Sequence, residues 1–259
     1  MTQRRTSSRV RPAAWIVAAV LILGAAAGGV GSLLANPGDP APVLSGSSGP
    51  ATAAASPTAD PGTATAPAPA PAGTALSVLD TLPVKGRAPA TGYSRTGEFG
   101  SAWLDVDHNG CDTRNDILAR DLTSTVRDDR CRVLSGILDD AYTGRSIRFT
   151  RGETTSAQVQ IDHMVPLLNA WETGAQQLTQ AQRIALANDP RNLIAVDGPS
   201  NQQKSAGDAA TWLPANKTFR CEYVARQIAV KATYRLWVTR AEHDAMARVL
   251  SGCPGQRTQ

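Results

Sequence analysis

An aspartate and a histidine stand side by side at the end of a short apolar run, Ile161-Asp162-His163-Met164-Val165-Pro166-Leu167. Two more polar junctions follow. Asn188-Asp189-Pro190-Arg191-Asn192 precedes Leu193-Ile194-Ala195-Val196, and Asn201-Gln202-Gln203-Lys204 follows Pro199. An imidazole, with an ordinary pKa of about 6.5, takes a proton from water near neutral pH provided that it is itself neutral. Asp162 offers a hard anionic oxygen and Asn201 a neutral carbonyl oxygen. Such oxygens, with water completing the shell, suit Mg²⁺, or alternatively Mn²⁺, better than Zn²⁺. A base and a divalent metal together are equipment for hydrolysing a phosphodiester. The pattern therefore predicts His163 as general base and Asp162 and Asn201 as metal ligands. Lys204, about one helical turn after Asn201, is predicted to share its face and contact a substrate phosphate.

These residues need elements to hold them. Val159–Asp162 and Leu193–Val196 are predicted strands, the second ended by Asp197-Gly198, and Pro199–Ser205 a short helix with proline in its first turn. Adjacent strand residues point to opposite faces, so Asp162 and His163 reach one substrate together only if the strand ends at Asp162; Pro166 fits such an ending. Helices are predicted over Asp112–Thr123, Leu167–Thr173, Thr179–Ala187 and Thr218–Trp237, and strands over Val133–Leu138 and Ser146–Phe149, joined around Tyr142-Thr143-Gly144. Thr239-x-x-Glu242 is a capping box opening a last helix that runs to Leu250. The fold class is α+β, mostly helical, around a strand–strand–helix unit.

Asp-His on a strand, an Asn before the next strand and an Asn on the following helix resemble the ββα-metal motif of the HNH endonuclease superfamily. The flanking stretches NGCDTRNDILARD, IDHMVPLLNAWETGA, ANDPRNLIAVDGPSNQQKSAGDAATWLP and YVARQIAVKATYRLWVT are similar to an exported actinobacterial branch of it. That branch is related to the nuclease domain of the GmrSD modification-dependent restriction enzymes. The resemblance covers about residues 95–253. It implies a nucleic-acid substrate, DNA or else RNA, and makes Asn192 the residue that holds the loop and orients His163. HNH members with His in the third position bind softer metals more readily; Asn201 there implies Mg²⁺.

The other polar features have plainer readings. His108, in a turn among acids, and His243, on the last helix, read as surface residues. The acids Asp105, Asp107 and Asp112 lack the glutamate of a calcium loop. Trp171 and Trp212 read as core aromatics.

The net charge of +4 invites a nucleic-acid reading, but its distribution does not support one. Residues 1–35 hold four arginines and no acid, and residues 36–75 hold two aspartates and no base, leaving 22 basic and 20 acidic side chains for residues 76–259. The arginines precede an uncharged apolar stretch, 13–35, which reads as a signal peptide or an uncleaved signal anchor with its N-terminus inside. Residues 36–75, rich in Pro, Ala and Thr, form a disordered linker. Residues 76–259 then form a nuclease-like domain, secreted or held at the outer membrane face. An even cysteine count in an exported chain reads as disulfides. Of the three pairings, local order favours Cys111–Cys131 and Cys221–Cys253. Two further readings stay open: a non-catalytic binding module on the same scaffold, and a hydrolase of another extracellular phosphodiester.

Overall fold

The computed structural model describes residues 73–258. The segment 1–35, and all of 36–75 except its last three residues, lie outside them. The described chain is α+β, with two small sheets and eight α-helices. No helix among the described residues is long and apolar enough to cross a membrane.

Helix α1 (Ala75–Leu79) is capped by Thr74, whose side chain accepts from Ser77 N. Its buried residues pack against α7 (Arg220–Thr233) and α8 (Arg240–Ser251). Thr74 also bridges to Arg257, and Ala75 N donates to Gln256 O at 2.7 Å. The end of the predicted linker is therefore already part of the fold, beside the far end of the domain.

Helix α2 (Arg95–Phe99) was not expected from the sequence. It is too short to stand alone and is fastened from outside. Phe99 is buried against Trp171, Arg183 pairs with Glu98 at 2.6 Å, and Gln180 Nε2 donates to Gly97 O at 2.8 Å.

Helix α3 (Thr113–Asp121) runs straight into β1 (Leu122–Arg127), which pairs antiparallel with β2 (Val133–Asp139), itself paired with β3 (Ser146–Thr150). The sequence carried the helix to Thr123 and gave no sign of β1. The reason lies in its burial: only Leu122 is buried, so this polar edge strand has no apolar alternation.

The second sheet is a two-stranded ribbon, β4 (Val159–His163) antiparallel to β5 (Leu193–Asp197). Helix α6 (Gly198–Lys204) follows β5 directly, with Asp197 as its cap, accepting from Ser200 N at 2.9 Å. Gly198 permits this tight join, because a Cβ there would lie 2.1 Å from the Ala157 carbonyl oxygen. A ribbon of two strands leaves two edges to satisfy. On the outer edge of β5, Asp121 accepts from Ala195 N at 2.8 Å, and Arg120 and Arg226 donate to Leu193 O at 2.8 and 3.0 Å.

Helices α4 (Leu167–Glu172) and α5 (Gln180–Asn188) lie between the strands, and a Thr179–Gln182 capping box opens α5. Helix α7 is shorter than predicted. It ends at Thr233 because Arg235 adopts φ +53°, while Leu236 N closes onto Lys231 O at 2.8 Å and Arg235 N onto Ala232 O at 3.3 Å. This is a Schellman closure with arginine where glycine is usual. The Thr239–Glu242 capping box opens α8 as expected. Both local disulfides form, Cys111–Cys131 and Cys221–Cys253.

Candidate functional site

The ladder between β4 and β5 stays regular through Asp162↔Ile194 and His163↔Leu193, and Met164 N still donates to Asn192 O at 2.7 Å. The strand therefore does not end at Asp162, contrary to the expectation, and the two neighbouring side chains diverge. They nevertheless border one cleft of about 300 Å³, together with Asn201 and Ser205 on the α6 side and Arg95 on α2. Three consecutive residues, Ile161, Asp162 and His163, line it. One face of a strand cannot present three in a row, so the cleft lies along the edge of β4 that does not pair with β5.

His163 is buried, and its Nε2 lies 2.9 Å from the carbonyl oxygen of Ala187, at the end of α5. A carbonyl only accepts, so Nε2 carries the proton and the neutral ring keeps Nδ1 as its acceptor. Burial pushes the imidazole pKa down to about 3, with help from the charges of Arg95 and Lys204 and against the bond to Ala187. The Trp103 ring lies nearly parallel to that of His163, 6.2 Å between centroids, and Trp103 holds a left-handed φ of +61°. A bulky residue in that region is uncommon, and such conformations cluster at functional sites. A smaller hollow of about 30 Å³ also borders His163, walled in part by Trp103 and Arg95.

Asp162 points into the interior. One oxygen accepts from the Tyr142 hydroxyl. Lys204 Nζ lies 3.0 Å from Oδ1 and 2.9 Å from Oδ2, and also donates to the His163 carbonyl at 2.9 Å. Lys204 is 2% exposed, so its ammonium does not reach out to a substrate phosphate as predicted; it fastens α6 to the end of β4. Burial lowers the Lys204 pKa and the Asp162 charge opposes that shift. Burial and the nearby Asp162 charge push the Tyr142 hydroxyl well above its ordinary value, so it stays a donor.

Asn192 is fully buried, away from the cleft. Its Oδ1 accepts from Val165 N at 2.8 Å, and its Nδ2 donates to Leu186 O at 3.3 Å. It thus ties the turn after His163 to α5, the helix whose Ala187 carbonyl holds the imidazole. Gln227 on α7 supports the same turn by donating to Met164 O at 2.7 Å. Asn201 is half-buried at the cleft, with Nδ2 donating to Gln160 Oε1 at 2.9 Å.

The predicted metal ligands do not fit a divalent ion in this arrangement. Both Asp162 oxygens are engaged, and an ion there would share the carboxylate with an ammonium that already neutralises it. Sequence reasoning missed Tyr142, Arg95 and Trp103, whose places depend on packing between segments far apart in the chain.

An uncharacterized secreted protein of Arthroderma benhamiae is 38% identical over 182 residues, which is 70% of this chain and 85% of that protein. No solved structure matches the chain significantly. The C-terminal domain of GmrSD restriction endonucleases matches residues 112–249, a span that contains Asp162, His163, Asn192, Asn201 and Lys204. The chain therefore belongs to the family of GmrSD restriction endonuclease C-terminal domains.

Proposed function

We propose that the chain is an exported endonuclease that hydrolyses phosphodiester bonds of DNA, with RNA as the second candidate substrate. The observation that carries this reading is the neutral His163 ring, held through Nε2 by the Ala187 carbonyl at the border of an open cleft, within a nuclease-type family. In the reaction, Nδ1 of His163 takes a proton from a water whose oxygen attacks phosphorus. The P–O bond to the leaving sugar oxygen breaks, and that oxygen takes a proton from solvent. Asn201 faces the same cleft and orients the water or the phosphate through its free amide oxygen. Asn192 and Lys204 are positioning residues, the first through the Val165 turn and the second through the His163 carbonyl. No step is routed through a metal, because Lys204 holds the carboxylate one would need. Export is supported by the two disulfides and by the relative that is named as secreted.

The test is cleavage of supercoiled plasmid, single-stranded DNA and RNA by the purified protein beside His163→Ala. A general base contributes about 10²–10⁴-fold, and its lowered pKa makes His163 a weaker proton acceptor than an ordinary imidazole, so a loss toward the lower end of that range is expected. A wild-type protein that leaves all three polymers intact, with and without added divalent ions, would overturn the reading.

A further inference from the structure

We propose that Arg95 is the phosphate-binding group of this cleft, supplied by a segment that lies ahead of the matched family region. The inference rests on the phosphodiester reading of the site and names the residue that receives the substrate's charge. Of the residues that border the cleft, two are charged, Asp162 and Arg95. The charge of Asp162 is already met by Lys204, so an entering anion meets Arg95. Arg95 is exposed and also walls the smaller hollow that Trp103 and His163 line, so one residue borders both spaces beside the base. Among the described residues no ion pair joins Arg95 to a carboxylate, and the Tyr93 phenol near it is neutral. Glu98, on the same short helix, is taken by Arg183 at 2.6 Å.

The backbone under Arg95 is held firmly. Phe99 is buried, Gly97 O accepts from Gln180, and Glu98 O accepts from Arg183 Nε at 3.1 Å. A fixed backbone carrying a guanidinium that pairs with no carboxylate suits a bidentate grip on the two non-bridging oxygens of a phosphodiester. The family match begins at residue 112, so this grip belongs to the N-terminal part of the domain and not to the shared core. The near balance of charge in residues 76–259 makes a single such contact count.

The test uses the full chain carrying His163→Ala, so that bound nucleic acid is not cut. Binding of a labelled DNA duplex is followed by fluorescence anisotropy across a salt series, with and without Arg95→Ala or Arg95→Lys. Arg95→Ala is expected to weaken binding about ten- to hundredfold on any sequence. It should also flatten the slope of log K against log salt by about one unit, the signature of one lost phosphate contact. Arg95→Lys should keep that slope and lose part of the affinity. Unchanged affinity and slope in Arg95→Ala, or no binding by the parent, overturns the proposal. Cleavage by the protein with His163 intact is scored separately. An active enzyme indifferent to Arg95→Ala defeats this inference alone. An inactive one that binds through Arg95 defeats only the hydrolytic reading.

Discussion

Lys204 Nζ sits between the two oxygens of Asp162, 3.0 and 2.9 Å away, with both side chains inside the protein. The pair joins the helix after β5 to the strand that carries His163. Breaking a buried pair by removing one partner costs about 3–5 kcal/mol, because the other charge is left uncompensated. Lys204→Met and Asp162→Asn should each destabilise by about that much, and the double variant by clearly less than the sum. Urea midpoints of the four proteins check this; full additivity would mean that the two charges do not sense each other.

The same pair governs how the site treats cations. Millimolar Mg²⁺ should leave the melting temperature of the wild-type protein unmoved, since its carboxylate is occupied. In Lys204→Met the uncovered Asp162 should gain affinity for Mg²⁺, seen as a stabilisation that grows with ion concentration. A Mg²⁺ shift in the wild type that disappears in Lys204→Met would reverse this view of the site.

His163 should make stability fall with acid. Its native pKa of about 3 lies below the ordinary value of about 6.5 that the unfolded chain keeps. Between those values the unfolded state binds a proton that the folded state refuses. The contribution is full above about pH 6.5 and is lost toward about pH 3, at about 1.4 kcal/mol per pH unit from this one group. His163→Gln removes that slope. Denaturation of both proteins at about pH 7 and about pH 5 measures the difference, and parallel pH dependences would mean that the ring is not buried neutral.

The Cys111–Cys131 bridge closes a short loop between the start of α3 and the β1–β2 turn, with a sequence separation of 20. Chain-entropy arguments give about 3 kcal/mol for a loop of this size. Replacing both cysteines by serine should lower stability by about that amount. Because the segment holding Trp103 enters at this bridge, the proposed nuclease activity should fall further than the stability loss explains. Activity measured well below the melting transition separates the two effects.

Local chemistry was legible in the sequence, and through-space chemistry was not. Thr239 and Glu242 announced their capping box because both partners lie within one turn. Asp162 and His163 stood out as neighbours, and the strand–strand–helix order around them holds. The use made of Asp162 was hidden, since Tyr142 lies 20 residues upstream and Lys204 lies 42 downstream. Lys204 falls one turn after Asn201, but that spacing says nothing of which way the helix is rolled. Arg235 hid the end of α7, because an arginine stands in the left-handed position where a glycine would have signalled the stop. The polar strand β1 hid for the opposite reason: it buries too little to leave a pattern.

Thr74 bridges Arg257, and Ala75 bonds Gln256, so the described chain enters and leaves the domain at one place. Such a domain has no privileged beginning. A short peptide joining these ends, with new termini opened at the exposed Asp129-Arg130 turn, should give a circular permutant with the same cleft. The order in which the segments are synthesised would then be free to change while their arrangement in space is kept.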